Sequence, residues 1–220
     1  TLATLIYTSG TTGRPKGDEL AHRCWVFEAA SVEALDILNI DDVQYLWLPL
    51  SHVFGKFWLT VQLHIGFETA IDGRIDKAVA GLAAVRPTFM SGVPRLFEKI
   101  YQAANAKGRA PGGVKAAIFN WAFSTGIAVK EARREGRSAG PLADVQMAIA
   151  DKLVFSKIRE VTGGRIRYFI SGSAALNRDV ARWFDAAGML ILEGYGLTET
   201  TAPTSVVRPT DVAFGTVGVP

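Results

Sequence analysis

Ten residues near the start of the chain concentrate groups that bind anions. Thr8-Ser9-Gly10-Thr11-Thr12-Gly13-Arg14-Pro15-Lys16-Gly17 holds four hydroxyls, three glycines and a lysine. Glycines let successive backbone N–H groups turn toward one point, hydroxyls add donors, and the lysine ammonium adds charge. The string follows an apolar, strand-like run at residues 2–7, and its chemistry suits a polyphosphate. It is not a Walker loop, which needs Gly-Lys-Ser/Thr where Pro15-Lys16-Gly17 stands. The bland alternative is a flexible Ser/Thr/Gly turn, but such a turn rarely gathers this many donors around one lysine.

Three further clusters carry usable chemistry. In Glu193-Gly194-Tyr195-Gly196-Leu197-Thr198-Glu199-Thr200 a carboxylate, Glu199, stands beside a hydroxyl, Thr198, in what reads as a glycine-flexed loop after a strand. That pair can serve Mg²⁺ and a phosphate together, while Tyr195 can offer a flat face to a base. Gly172-Ser173-Ala174 also follows a strand, and small side chains there admit close approach of a ligand to the backbone. Finally, His52 lies in Leu48-Pro49-Leu50-Ser51-His52-Val53-Phe54-Gly55, again after a strand. A lone histidine is usually a core or surface residue, and His22 and His64 are read that way.

The elements that would position these groups alternate between strand-like and helix-like patterns. Strands are expected at residues 2–7, 45–48, 67–71, 88–90, 166–170 and 189–192. Helices are expected over about 22–38, 53–64 and 76–85, from Pro94 onward, and over 178–187 with Asn177 as its cap. The stripe Phe97, Ile100, Tyr101 and Ala104 has helical spacing, as has Val180, Phe184 and Ala187. Residues 111–160 break the alternation with a helical hairpin. One face is expected at Val114, Ala117, Ile118, Trp121 and Thr125, another at Leu142, Val145, Ile149 and Leu153. The fold class is therefore α/β, with a mainly parallel sheet flanked by helices and its ligand at the carboxyl ends of the strands.

Composition sets the outer limits. The chain has 220 residues, 49% of them apolar and 20% charged, which suits a globular protein and not a disordered one. Lys and Arg exceed Asp and Glu by 24 to 21, too small a balance to point to a nucleic-acid partner. The mixed run at residues 130–137 reads as a solvated helix end. One cysteine, Cys24, excludes an internal disulfide, reads as packing filler and suits a reducing, cytoplasmic setting. Polar residues interrupt the least charged stretch, 43–67, so it reads as strand and helix, not as a membrane span.

The string TSGTTGRPKG resembles the phosphate-loop signature of the adenylate-forming (AMP-binding) superfamily, and YGLTET resembles its second signature. The resemblance implies an acyl-CoA-synthetase-like large domain. In it Thr8, Ser9, Gly10, Thr11, Thr12, Gly13 and Lys16 would grip the phosphates of ATP, and Gly172, Ser173 and Ala174 would hold adenine. Tyr195 and Gly196 would lie against the base, Thr198 would contact the α-phosphate, Glu199 would bind Mg²⁺, and His52 would shape the acyl site. Gly92-Val93-Pro94-Arg95-Leu96-Phe97-Glu98-Lys99-Ile100-Tyr101 resembles a segment of long-chain fatty acyl-CoA synthetases, as does a helical insertion placed at about 102–160. The substrates implied are a fatty acid, ATP and coenzyme A, with peripheral membrane contact as an option. Phe57, Trp58 and Phe89 are read either as acyl-tunnel walls or as core.

Two departures stand out. Asp18 brings a carboxylate near the phosphate loop, and Ala21 replaces a hydroxyl that would cap the next helix. The termini read as cuts: a leading subdomain is expected before Thr1, and a small lid with a catalytic lysine after Pro220. On that reading 1–220 is part of an adenylation domain, lacks the lid and turns over poorly alone. The competing readings are a non-catalytic nucleotide- or acyl-binding module, or an adenylation domain for another carboxylic acid.

Overall fold

A computed structural model describes residues 1–9 and 13–219. The chain opens with an antiparallel hairpin of β1 (Leu2–Thr8) and β2 (Lys16–Ala21). The second strand of this hairpin was not expected. Where the sequence suggests a loop leading into a helix, Lys16 and Gly17 already lie on β2, opposite Thr8 and Tyr7. Apolar Leu20 is buried on β2 and faces the same way as Ile6 of β1, which explains why the segment is extended. Helix α1 (His22–Ala34) follows and ends four residues earlier than the sequence suggests. Ala21 at its N-cap supplies no side-chain hydrogen bond.

The main body is a six-stranded sheet. Its strands are β3 (Val43–Leu46), β4 (Glu68–Ile71), β5 (Phe89–Gly92), β6 (Tyr168–Ser171), β7 (Leu190–Leu197) and β8 (Ala202–Val206), in the order β4-β3-β5-β6-β7-β8. All neighbours are parallel except β7 and β8. The antiparallel β8 edge was not expected, and neither was the length of β7. That strand runs on through Glu193–Leu197, so Tyr195 and Gly196 sit on a strand and only Thr198 onward turns.

Helices cover both faces of this sheet. Phe89 and Met90 are neighbours on β5 and so point to opposite faces. Phe89 meets Trp58 of α2 (Val53–Ile65) at a ring separation of 5.5 Å and Phe67 at 5.2 Å. Phe169 of β6 pairs beside Met90 and therefore shares its face. It packs at 5.3 Å on Phe97 of α4 (Pro94–Arg109) and at 5.7 Å on Phe184 of α8 (Arg178–Ala186). Phe57, Trp58 and Phe89 are thus core residues, each at most 3% exposed. Helix α3 (Ala78–Val85) completes the crossover between β4 and β5. Asn177 caps α8, its Oδ1 accepting the Asp179 N–H at 2.8 Å.

The intervening helices are α5 (Gly113–Arg134), α6 (Gly140–Ala150), a π turn at Asp151–Phe155 and α7 (Ser156–Val161). The buried face of α5 is Phe119, Ala122, Phe123, Gly126, Val129 and Ala132, rotated from the expected one. Phe123 stacks flat on Trp183 of α8, with rings 4.6 Å apart and 9° from parallel. The aromatic at 119 and 123 drives this rotation, since rings bury more area than Val114 or Ala117. The second expected face also differs: Leu142, Val145, Ile149 and Leu153 are all exposed. No helix among the described residues is long and apolar enough to cross a membrane.

Candidate active site

The carboxyl ends of β3, β6 and β7 lie at one edge of the sheet, as parallel pairing dictates. Each delivers one predicted cluster. After β3 the chain reaches His52, which is exposed and has extended backbone at the N-cap of α2, without a side-chain cap bond. After β6 come Gly172, buried, and Ser173 and Ala174, both exposed. Ser173 has φ of 72°, a left-handed conformation costly for a residue with a Cβ. The third cluster is on β7 and just beyond it: Tyr195 is half exposed, Thr198 half-buried and Glu199 exposed.

Close backbone packing joins these clusters. A Cβ on Gly172 would stand 3.2 Å from Cζ of Phe54, a tight contact, so glycine lets the turn after β6 sit against the first turn of α2 without displacing that ring. Phe54 is two residues from His52, which brings the histidine segment beside the glycine turn. Ser171 pairs with Glu193, so Gly172 leaves the sheet next to Gly194 and Tyr195. A Cβ on Gly196 would run into the Ala202 carbonyl, so glycine is required where β8 crosses β7.

The phosphate-loop residues are held separately. Thr8 and Lys16 face each other across the hairpin, with the Thr8 hydroxyl 3.5 Å from the Lys16 carbonyl oxygen. Lys16 is exposed and, among the described residues, forms no ion pair. Ser9 is exposed, and Gly13 has φ of 88°. Gly10, Thr11 and Thr12 lie outside the described residues. Among the described residues no hydrogen bond joins the hairpin to the large sheet, so the structure brings together the His52, Gly172 and Tyr195 clusters and leaves the phosphate strand as a second arm. Asp18 turns toward the face carrying Ile6 and Leu20, and its Oδ2 is buried without a hydrogen-bond partner.

Two contributors were missed from the sequence. Glu193 is only 6% exposed, and its carboxylate accepts the N–H groups of Leu176 at 3.2 Å and Gly215 at 3.3 Å. Its own carbonyl accepts Val207 N–H at 2.8 Å. One buried side chain thus ties the glycine turn, β7 and the chain near Gly215 together. The signal was present, since an acid closing the apolar run Met189-Leu190-Ile191-Leu192 must find partners when buried. The other is Phe54, the wall against which Gly172 packs.

The donor set bears on a metal. Among the described residues no group of three or more His, Cys, Asp or Glu could hold an ion. Glu199 is a single exposed carboxylate, which suits Mg²⁺ riding on nucleotide phosphates and not a protein cage. Two surface clefts, of about 520 and 500 Å³, lie elsewhere, between α5 and α6 and beside Asp185, and no predicted site residue lines either.

The family model for the AMP-binding enzymes matches residues 1–220. The chain belongs to the AMP-binding enzyme family. Within that family it is 36% identical over 220 residues to the long-chain-fatty-acid–CoA ligase FadD15 of Mycobacterium bovis, covering 99% of this chain and 36% of that protein. Identity is also 36% over 221 residues to the peroxisomal long chain acyl-CoA synthetase 6 of Arabidopsis thaliana, covering 100% of this chain and 30% of the other. The chain therefore spans about a third of the length of these curated relatives. Among solved structures, a malonyl-CoA ligase with methylmalonyl-CoA and AMP bound superposes with a TM-score of 0.66 at 26% identity, over 98% of this chain and 37% of that one. The N-terminal domain of FACL13 from Mycobacterium tuberculosis superposes with a TM-score of 0.62 at 19% identity, over 93% of this chain and 39% of that one, a likeness of fold. Two of these AMP-binding relatives are named for long-chain acids, which fits the branch suggested by residues 92–101.

Proposed function

We propose that this chain is the ATP- and acyl-binding segment of an AMP-forming long-chain fatty acid–CoA ligase. The observation that carries the reading is the meeting of the Gly172 turn, Tyr195 and the Thr198-Glu199 turn at one edge of the sheet. Ligands of open α/β sheets bind at that edge. Adenine would lie between Gly172, Ser173 and Ala174 on one side and the ring of Tyr195 on the other, with Gly196 giving it room. The Thr198 hydroxyl would donate to the α-phosphate. Lys16, with Thr8, Ser9, Gly10, Thr11, Thr12 and Gly13, would hold the β- and γ-phosphates. Glu199 would hold Mg²⁺, which when bound neutralises phosphate charge.

The chemistry is then mainly positioning and charge neutralisation. A fatty-acid carboxylate oxygen attacks the α-phosphorus, the bond to the bridging oxygen breaks, and pyrophosphate leaves. The thiolate sulfur of coenzyme A then attacks the acyl carbonyl carbon, and AMP leaves with the bonding electron pair. His52 would shape the space beside the acyl carboxyl. The malonyl-CoA ligase that holds methylmalonyl-CoA and AMP supports an acyl-CoA and AMP as the products by its likeness. The reading places the protein in the cytoplasm, with peripheral membrane contact while it collects fatty acids, and expects poor turnover from the 220 residues alone.

Pyrophosphate exchange tests the reading. The full chain, alone and joined to the carboxyl-terminal part of a long-chain relative, is assayed with palmitate, acetate, an aryl acid and amino acids. Exchange stimulated most by palmitate supports the long-chain branch. Stimulation by another acid reassigns the branch. Mg-ATP binding without exchange in either form favours a binding module.

A further inference from the structure

The turn between β7 and β8 is strained more than its length requires. Thr201 has φ of 64° and Ala202 φ of 94°, both in the left-handed region, and both residues are buried. For a β-branched threonine this is an outlier that the surroundings must enforce. The hydroxyl of Thr200 lies at the centre of this turn. Its oxygen accepts the N–H of Leu197 at 3.0 Å and the hydroxyl of Thr204 at 3.2 Å. Its proton can go to the carbonyl of Ala202 or of Leu197, both at 3.1 Å. Thr201 N–H closes on the Thr198 carbonyl at 3.0 Å. The hydroxyl thus bridges the last residue of β7 and the first of β8, and the residues enclosed by that bridge include Thr198 and Glu199.

We propose that Thr200 is a positioning residue: its hydroxyl holds the strained turn so that the Thr198 hydroxyl and the Glu199 carboxylate point to the same place. The inference rests on the adenylation reading above, because that reading assigns the place as the α-phosphate and its metal. Nothing about Thr200 requires it to touch substrate. Its own polar capacity is used up within the turn: one proton given and two accepted saturate a hydroxyl. Valine at this position keeps the shape and β-branching and removes the hydroxyl. Serine keeps the hydroxyl and removes a methyl group.

The test compares the full chain with Thr200→Val and Thr200→Ser. Calorimetric titration is run with Mg-ATP and, separately, with ATP in the presence of chelator, and thermal unfolding is followed alongside. Thr200→Val is expected to weaken Mg-ATP binding about tenfold, the scale of one lost hydrogen bond, and metal-free ATP, which loses the Thr198 contact but not the metal's, by about threefold at most, so that the ratio of the two affinities falls. Thr200→Ser is expected to restore most of that loss. A merely structural threonine would lower the unfolding temperature and leave the ratio of the two affinities where it was, which overturns the proposal. Valine and serine variants that behave alike also overturn it. Absence of any Mg-ATP binding by the parent chain overturns the adenylation reading and this proposal together, whereas parent binding with an unchanged ratio in Thr200→Val overturns this proposal alone.

Discussion

A methyl group at Gly196 would occupy space already filled by the carbonyl of Ala202, and that carbonyl is backbone and cannot swing aside. Gly196→Ala should therefore either unzip the start of β8 or lower stability by about 1–3 kcal/mol, the range for overpacking, measured by urea denaturation with an unchanged slope. A change below about 0.5 kcal/mol would show that β8 shifts freely. A second residue-scale prediction concerns Glu28 on α1, whose carboxyl is pushed by burial from 4.5 up to about 7. Protonated Glu28 is the form the fold favours, so its contribution is fully present below pH 4.5 and is lost as pH rises through about 7. Glu28→Gln should accordingly raise the unfolding temperature at pH 8 and leave it nearly unchanged at pH 4. A variant equally stabilising at both values would mean that shape, not charge, is responsible. At this scale the sequence singled out the Gly172 and Tyr195 segments by residue type, and the folded chain sets them side by side at the sheet edge, Tyr195 on a strand where a loop was expected. Glu193 showed only as an acid closing an apolar run, because its partners at Leu176 and Gly215 lie 17 and 22 residues away, and Thr200 was hidden because its bonds depend on how a short turn closes.

Individual strands are too short here to hold register by themselves, and a buried polar link fixes three of them. Asp42, 3% exposed, stands just before β3, Thr88 just before β5 and Arg167 just before β6. The Thr88 hydroxyl donates to Asp42 at 2.5 Å and accepts the Val43 N–H at 2.9 Å. The Arg167 guanidinium donates to both carboxylate oxygens, at 2.6 and 2.5 Å, and Asn39 N–H adds a bond at 2.9 Å. Removing one member of a buried charged set leaves the rest unpaired, so Asp42→Ala should cost about 3 kcal/mol, the lower end for buried pairs because Arg167 is partly exposed. Denaturation of Asp42→Ala, Arg167→Met and the double variant would reveal it: a double variant milder than the sum of the singles is expected. Elements with a strong period were legible, among them α2, α4 and α8 with its Asn177 cap. β2 and β8 were not. β2 carries three charges and a glycine, β8 a proline and two hydroxyls, and each becomes a strand by antiparallel pairing with a neighbour close in sequence more than through apolar alternation. The face of α5 was misjudged for a related reason, since stacking of Phe123 on Trp183 outweighs the expected stripe of Val114, Ala117, Ile118, Trp121 and Thr125.

At the scale of the molecule, the phosphate-binding arm and the nucleotide edge belong to parts of unequal support. The six-stranded sheet is covered on both faces, and the largest fully buried side chains lie on it or on the helices packed against it, among them Phe89 and Phe169 on strands and Phe57, Phe97 and Phe184 on α2, α4 and α8. The β1–β2 hairpin is a two-stranded sheet that rests on α1, with Ile6 and Leu20 buried and Leu2, Leu5 and Tyr7 exposed. Two strands alone are marginal in water, and regions with little burial open well below the cost of global unfolding. The alternation of patterns gave away a parallel sheet, but neither the strand order nor this division, because both depend on contacts between residues far apart in the chain. Native-state amide exchange should therefore separate the two parts. Amides of β1 and β2 are expected to exchange through small openings that barely respond to denaturant, while those of β5 and β6 exchange only with global unfolding. Phe169→Leu sharpens the comparison: it lowers the global barrier and should speed the β5 and β6 amides while leaving the hairpin rates as they were. Saturating Mg-ATP should do the converse and slow the hairpin amides first, since on the adenylation reading the nucleotide's phosphates reach Lys16 while its base stays at the sheet edge. If hairpin and sheet amides respond to both treatments by the same factor, the molecule is one cooperative unit and the two-arm description of the site is wrong.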